Sequence, residues 1–111
     1  MKKFKFENFI RGWLIGNFEP SILRSKEIEV GIKHYKKGEK EPKTIHKITF
    51  EVTVVILGSI KMHNETLNKN DIILLEPNDI SSFECLKDCT LLVIKYPVSY
   101  THLRAHETSI D

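Results

Sequence analysis

The chain has 111 residues, 41% hydrophobic and 29% charged, with five glycines and four prolines. That length fits one domain burying about two-thirds of the surface its unfolded chain exposes, and the apolar content excludes disorder as the global state. Seventeen basic against fifteen acidic residues give a net charge of +2, too even for a nucleic-acid-binding face, which needs clustered positive charge.

No apolar run approaches the roughly 18–20 residues of a membrane span. The basic start Met1-Lys2-Lys3-Phe4-Lys5 leads into Glu7, Asn8 and Arg11 rather than a signal-peptide apolar stretch. No membrane contact and a cytoplasmic location are therefore expected. Residues 1–27 hold Phe4, Phe6, Phe9, Ile10, Trp13, Leu14, Ile15 and Phe18. So apolar a segment is expected to form an arm, with Trp13-Leu14-Ile15 as an edge strand, a cover for the domain or a homodimer contact. Gly16-Asn17 lets the chain turn after it.

From residue 28 the periodicity is two. Ile28, Val30 and Ile32 alternate with Glu29, Gly31 and Lys33, the pattern of a half-buried strand with its apolar parity inward. The lysines from Lys33 to Lys43 are interspersed with Glu39 and Glu41, as on a solvated surface. Phe50 to Leu57 is β-branched and apolar on both faces, the composition of a strand packed on both sides. Gly58 is expected to end it, and Ile60 and Met62 alternate with Lys61 and His63 in the next strand. Turns are expected at Asn64-Glu65, at 68–71 and at Pro77-Asn78-Asp79, with strands at 72–75 and Thr90 to Tyr96. Short strands with turns every eight to twelve residues or so predict an all-β sandwich or barrel. Cys85 and Cys89 have no second pair and Asp88 alone is a poor extra ligand, so free thiols are expected rather than zinc. From residue 98 the pattern turns polar and resembles translated adapter sequence. Residues 98–111 are expected not to belong to the native fold, and His102 and His106 are left out of the site.

One spacing is specific. Gly38 is followed by five residues, Thr44-Ile45-His46, four residues, Glu51, six residues and Gly58. This resembles the first cupin motif, G-x5-H-x-H-x(3,4)-E-x6-G, with Thr44 in place of the first histidine. The second, G-x5-P-x-G-x2-H-x3-N, aligns on Pro77, with Asp71 and Asp79 at the glycines, Ser82 at the histidine and Leu86 at the asparagine. The resemblance covers the expected domain, residues 28–97. It implies a double-stranded β-helix, an RmlC-like jelly-roll cupin barrel, whose mouth in the family holds a divalent metal on three histidines and a glutamate.

Only His46 and Glu51 of that implied ligand set remain, so no cofactor is expected beyond a weakly held divalent metal on those two residues. Thr44 and Ser82 offer only neutral hydroxyls. His34 shares the parity of Ile28, Val30 and Ile32, and either approaches the pair or ends its strand in water beside Lys36 and Lys37. Glu51 shares parity with Thr53 and Val55, and an inward carboxylate needs a partner such as His46, Thr44 or a ligand. The expected function is small-molecule binding, of a polar or carbohydrate-type ligand, with Thr44, His34 and Ser82 as further binding residues. The alternative is a metal-independent sugar-nucleotide epimerase or isomerase, in which His46 acts as base and Glu51 orients it. Tyr35 is the nearest acid in sequence, with a parity expected to face outward. A metal-dependent enzyme with an atypical ligand set is the remaining alternative.

Overall fold

The computed structural model describes residues 1–98. After a 3₁₀ turn at Phe6–Asn8 come seven strands. These are β1 (Trp13–Ile15), β2 (Glu29–Tyr35), β3 (Lys40–Ile45), β4 (Phe50–Met62), β5 (Glu65–Asn68), β6 (Ile72–Leu75) and β7 (Ile80–Tyr96). All strand pairs are antiparallel. The expectation for the tail from residue 99 onward lies outside the described residues.

Two long strands organise the sheet. β4 and β7 run side by side from Phe50 opposite Tyr96 to Met62 opposite Phe83. The first half of β4 also pairs with β6 and its second half with β5. The second half of β7 pairs with β2, and its first half with β3. One continuous sheet is thereby split into two lobes that share their central strands, the all-β jelly roll that the motif resemblance implied. The core lies between the lobes, with Val55 and Ile60 fully buried and Cys85, Leu91, Val93 and Phe83 packed around them.

The bend between lobes sits at Gly58, in a stretch of register shifts from Val55 to Ile60. Gly58 does not end its strand, as expected from sequence, but bulges it. Its φ is +86°, and a Cβ there would stand 2.2 Å from the Asp88 carbonyl oxygen on β7. Only glycine admits both the left-handed backbone and the close approach of the neighbouring strand. The register shift also carries Leu57 out of the core, leaving it 52% exposed although it shares Glu51's parity.

The turns follow their residues. His63 and Asn64 both have positive φ, which makes the β4–β5 connection a two-residue hairpin one residue earlier than expected. Asn70 and Asn78 hold the positive-φ positions of the next two turns. Asp71 and Asp79 close those turns, accepting hydrogen bonds from the amides of Asn68 and Glu76, each at 2.8 Å. A carboxylate locks each turn where the cupin pattern has glycine.

β2 presents the opposite parity to the one expected. Glu29 and Gly31 are buried, while His34, on the parity of Val30 and Ile32, is exposed. The reason is Trp13. β1 sets Trp13 opposite Gly31, and a Cβ on Gly31 would lie 2.7 Å from its ring. The missing side chain makes room for the indole on the inner face, so the face carrying Glu29, Gly31, Lys33 and Tyr35 turns inward. Tyr35 packs on Phe83 with ring centroids 4.5 Å apart, correcting the outward placement expected for it.

Gly58→Ala is expected to destabilise the fold by about 2–4 kcal/mol, combining a left-handed alanine with a backbone clash. Gly38→Ala, also at positive φ but with nothing within 4 Å of the added methyl, should cost only about 1–2 kcal/mol. Urea denaturation of the two variants against the parent checks the difference.

Candidate functional site

The inner wall of the first lobe can be built row by row from the strand register. Glu29 on β2, Lys95 on β7, Glu51 on β4 and Leu75 on β6 stand side by side. Above them run Gly31, Val93, Thr53 and Ile73, and above those Lys33, Leu91 and Val55. Directly opposed residues in a sheet project to the same side. The first row therefore places two carboxylates and an ammonium on an inner face, with Glu29 and Glu51 only 8% and 9% exposed.

His46 joins this row from the loop between β3 and β4, its backbone carbonyl fixed by the Asn78 amide at 2.8 Å. Its Nε2 lies 3.4 Å from Oε1 of Glu51, with both side chains nearly buried. The Thr53 hydroxyl donates a long hydrogen bond, 3.4 Å, to the other Glu51 oxygen. Beneath the loop, Thr49 donates to the Pro97 carbonyl at 2.7 Å and ties the start of β4 to the end of β7. Thr44 stands opposite the buried Ser81 on the same side as this wall.

The two lysines flank one aromatic ring. Lys33 Nζ lies 4.6 Å and Lys95 Nζ 5.5 Å from the Trp13 ring centroid, close enough for cation–π attraction. Lys33 also donates to the Arg11 carbonyl at 2.8 Å. Burial holds the Lys33 ammonium below the ordinary lysine range; Glu41 opposes that shift, and the charges of Arg11 and Lys95 add to it. Tyr35 donates to Glu41 at 2.8 Å. Burial first, and then this bond, hold the phenol well above its ordinary value of 10.0. Cys85 and Cys89 are buried free thiols 3.5 Å apart, and burial with that contact pushes Cys89 up to about 12.

The structure thus gathers His46, Glu51 and Thr44 on the inner side, and does not bring His34 or Ser82 to them. His34 lies on the outer face, bonded through Nδ1 to the Thr90 hydroxyl at 3.0 Å and met edge-on by Phe6. It lines an open cleft of about 450 Å³ with Glu39, Asp88 and Thr90. Ser82 has the outward parity between buried Ser81 and Phe83. Among the described residues no three His, Cys, Asp or Glu side chains gather as a metal site.

Sequence reasoning passed over Lys33, Lys95, Glu29, Glu41 and Trp13 as wall residues. A signal for one of them existed: Lys95 continues the parity of Leu91 and Val93, which a core strand would fill with an apolar residue. For Lys33 the alternation was visible but assigned to the wrong side.

No protein-family model and no curated protein matches the chain. Solved structures do. An RmlC-like cupin from Shewanella frigidimarina superposes with a TM-score of 0.62 at 16% identity, over 68% of this chain and 71% of that one. KdgF from Halomonas sp. gives 0.61 at 12% identity, over 68% and 74%. YhhW from Escherichia coli gives 0.70 at 14% identity, over 91% of this chain and 44% of its own. The chain has the cupin fold. No helix among the described residues is long and apolar enough to cross a membrane.

The direction of the Tyr35 shift sets an alkaline limit. A phenol whose folded value is raised favours the folded state fully below pH 10, and that contribution is lost as pH climbs above it. Tyr35→Phe should cost about 1 kcal/mol at neutral pH through the lost bond to Glu41. In an ultraviolet titration, the same change should remove the last tyrosine to ionise.

Proposed function

We propose that the barrel binds a small, polar, acidic molecule on the inner wall beside His46 and Glu51, without a tightly held metal. The observation that carries this reading is the shielded His46–Glu51 pair, 3.4 Å apart on a wall where apolar side chains would pack at less cost. An imidazole, a carboxylate and the Thr44 and Thr53 hydroxyls supply directional donors and acceptors for hydroxyl groups on a ligand. Lys33 and Lys95 supply positive charge on the same wall, on either side of the Trp13 ring. Burial strengthens their attraction for an anionic substituent.

The metal of the cupin motifs does not fit this donor set. One imidazole and one carboxylate fall short of the three protein ligands that a stable transition-metal site needs. Thr44 stands where a further imidazole would be, and its neutral hydroxyl is a weak ligand for such ions.

An epimerase- or isomerase-like reaction is the second reading, favoured by the same pair: His46 can accept a proton while Glu51 orients the ring. It also needs a proton donor. Tyr35 reaches the inner side, but burial and Glu41 hold its proton firmly, so the phenol is a poor acid. Binding without turnover therefore ranks ahead.

Calorimetry on the full chain with small sugar acids and their neutral counterparts, beginning with glucuronate and glucose, tests the reading. The acids should bind at least about tenfold more tightly. His46→Ala should lose that binding and melt earlier because Glu51 loses its partner, with the β-sheet circular dichroism retained, and Lys95→Met should narrow the preference. Added Mn²⁺ should leave the affinity unchanged. Equal affinity for neutral sugars, or full binding by His46→Ala, would contradict the proposal.

A further inference from the structure

Beside Gly58, β7 carries a bulge of its own. From Cys85, opposite Ile60, to Thr90, opposite Leu57, it spends five steps of chain where β4 spends three. In a regular strand two residues four positions apart stand about 13 Å from one another. Here the Sγ atoms of Cys85 and Cys89 lie 3.5 Å apart, in residues only 1% and 4% exposed. The backbone is held on both sides of them. The Cys85 amide donates to the Glu39 carbonyl and the Gly38 amide to the Cys85 carbonyl, each at 2.8 Å. Cys89 stands opposite Tyr35 on β2, and the Lys37 amide donates to the Asp88 carboxylate at 2.8 Å.

A disulfide sets its sulfurs about 2.05 Å apart, so closing this pair takes about 1.5 Å of approach, within reach of side-chain torsions. The Cys85 thiol now turns to the Lys87 carbonyl at 3.0 Å, inside the bulge. Cys89 also lines the open cleft of about 450 Å³ that His34, Lys36, Glu39 and Leu57 border, and Cys85 does not. One thiol of the pair is therefore reached from outside and the other through it. The chain has two cysteines in all, so this pair has no competing thiol within the molecule.

We propose that Cys85 and Cys89 are a reversible dithiol–disulfide pair, oxidised by a low-molecular-weight disulfide entering the cleft and stapling the β7 bulge when closed. Cys89, as its thiolate, attacks one sulfur of the small disulfide. That S–S bond breaks, and the first small thiol leaves carrying the proton that Cys89 gave up. Cys85 then attacks the Cys89 sulfur, and the second small thiol leaves with the Cys85 proton. Two protein thiols are oxidised to one disulfide, and one external disulfide is reduced to two thiols. The second step is intramolecular and pre-aligned, so the mixed disulfide does not accumulate. Burial first, then the contact with Cys85, pushes Cys89 up to about 12; the charges of Cys85 and Asp88 add to this and the Tyr35 backbone opposes it. His34, Lys36 and Glu39 are the other titratable groups that border the cleft. Thiolate is scarce at neutral pH, and closure quickens about tenfold per pH unit as pH rises toward that value. None of this depends on what the barrel binds.

Thiol titration and intact-mass measurement of the full native chain, treated with hydroxyethyl disulfide, test it. The parent should lose both titratable thiols and the mass of two hydrogens, with no reagent group retained. Loss should run about tenfold faster at about pH 9 than at about pH 8. Dithiothreitol should restore both thiols, and the oxidised form should melt roughly 5 °C above the reduced one. Cys85→Ser should keep one reagent group on Cys89 as a stable mixed disulfide. Cys89→Ser should stay unmodified, because Cys85 does not reach the cleft. A parent that keeps both thiols, closes the bond only in urea, accumulates the mixed disulfide or links chains to one another would overturn the proposal. So would an oxidised form that melts lower, or a modified Cys89→Ser. If either serine variant fails to fold, the thiol count and mass of the parent still decide.

Discussion

A β-strand shows alternate side chains to its two sides, and in the first lobe of this barrel the charged side chains stand on the inner side while the outer rows are apolar. The inner wall carries Glu29, Lys95, Glu51, Thr53 and Lys33 among the apolar Leu75, Ile73, Val93, Leu91 and Val55, while the outer side carries Val30, Ile32, Val52, Val54, Leu92 and Ile94. Charges on an inner wall survive only when they compensate one another or something else compensates them. The row Glu29–Lys95–Glu51 alternates in the sign of its charges, and the His46 imidazole stands beside Glu51 at its end.

The second lobe provides the anchorage. Ile60, Met62, Leu67, Phe83 and Cys85 supply much of the apolar core, and β4 and β7 carry that stability across the Gly58 bulge into the polar wall. A wall so supported can hold a buried imidazole–carboxylate pair in one geometry, which polar recognition requires. Trp13 adds the remaining piece. By lying on Gly31 between Lys33 and Lys95, it couples the N-terminal segment to the wall.

Much of this was legible in sequence, and the failures have a common cause. The spacing from Gly38 to Gly58 located His46 and Glu51, and the parity of Glu51 with Thr53 and Val55 correctly turned it inward. The alternation of β2 was equally clear, yet its apolar parity was assigned to the interior by the ordinary rule. On a strand whose outer side is apolar that rule inverts, and Tyr35 and Lys33 went to the wrong side with it, while His34, left open between the wall and water, lies exposed on the outer side. Nothing local to residues 28–35 distinguishes the two cases, because the deciding contact is Trp13 on Gly31, made across eighteen positions of chain. Ser82 was placed by the looser second motif, and the sheet register sets Ser81 on the inner side instead. Gly58 looked like a stop because a bulge and a turn draw on the same property of glycine.

This placement of charges can be measured directly by methyl and methylated-lysine NMR of the native protein with a soluble paramagnetic chelate. Methyls of Ile72 and Leu74 on the outer side should be broadened by the agent in dilute protein, whereas those of Val55 and Leu91 on the inner side should be shielded. The lysine signals of Lys33 and Lys95 should lie within its reach and shift on addition of an acidic ligand. Shielded methyls of Ile72 and Leu74 in dilute protein, with both lysines out of reach and unmoved, would contradict the account.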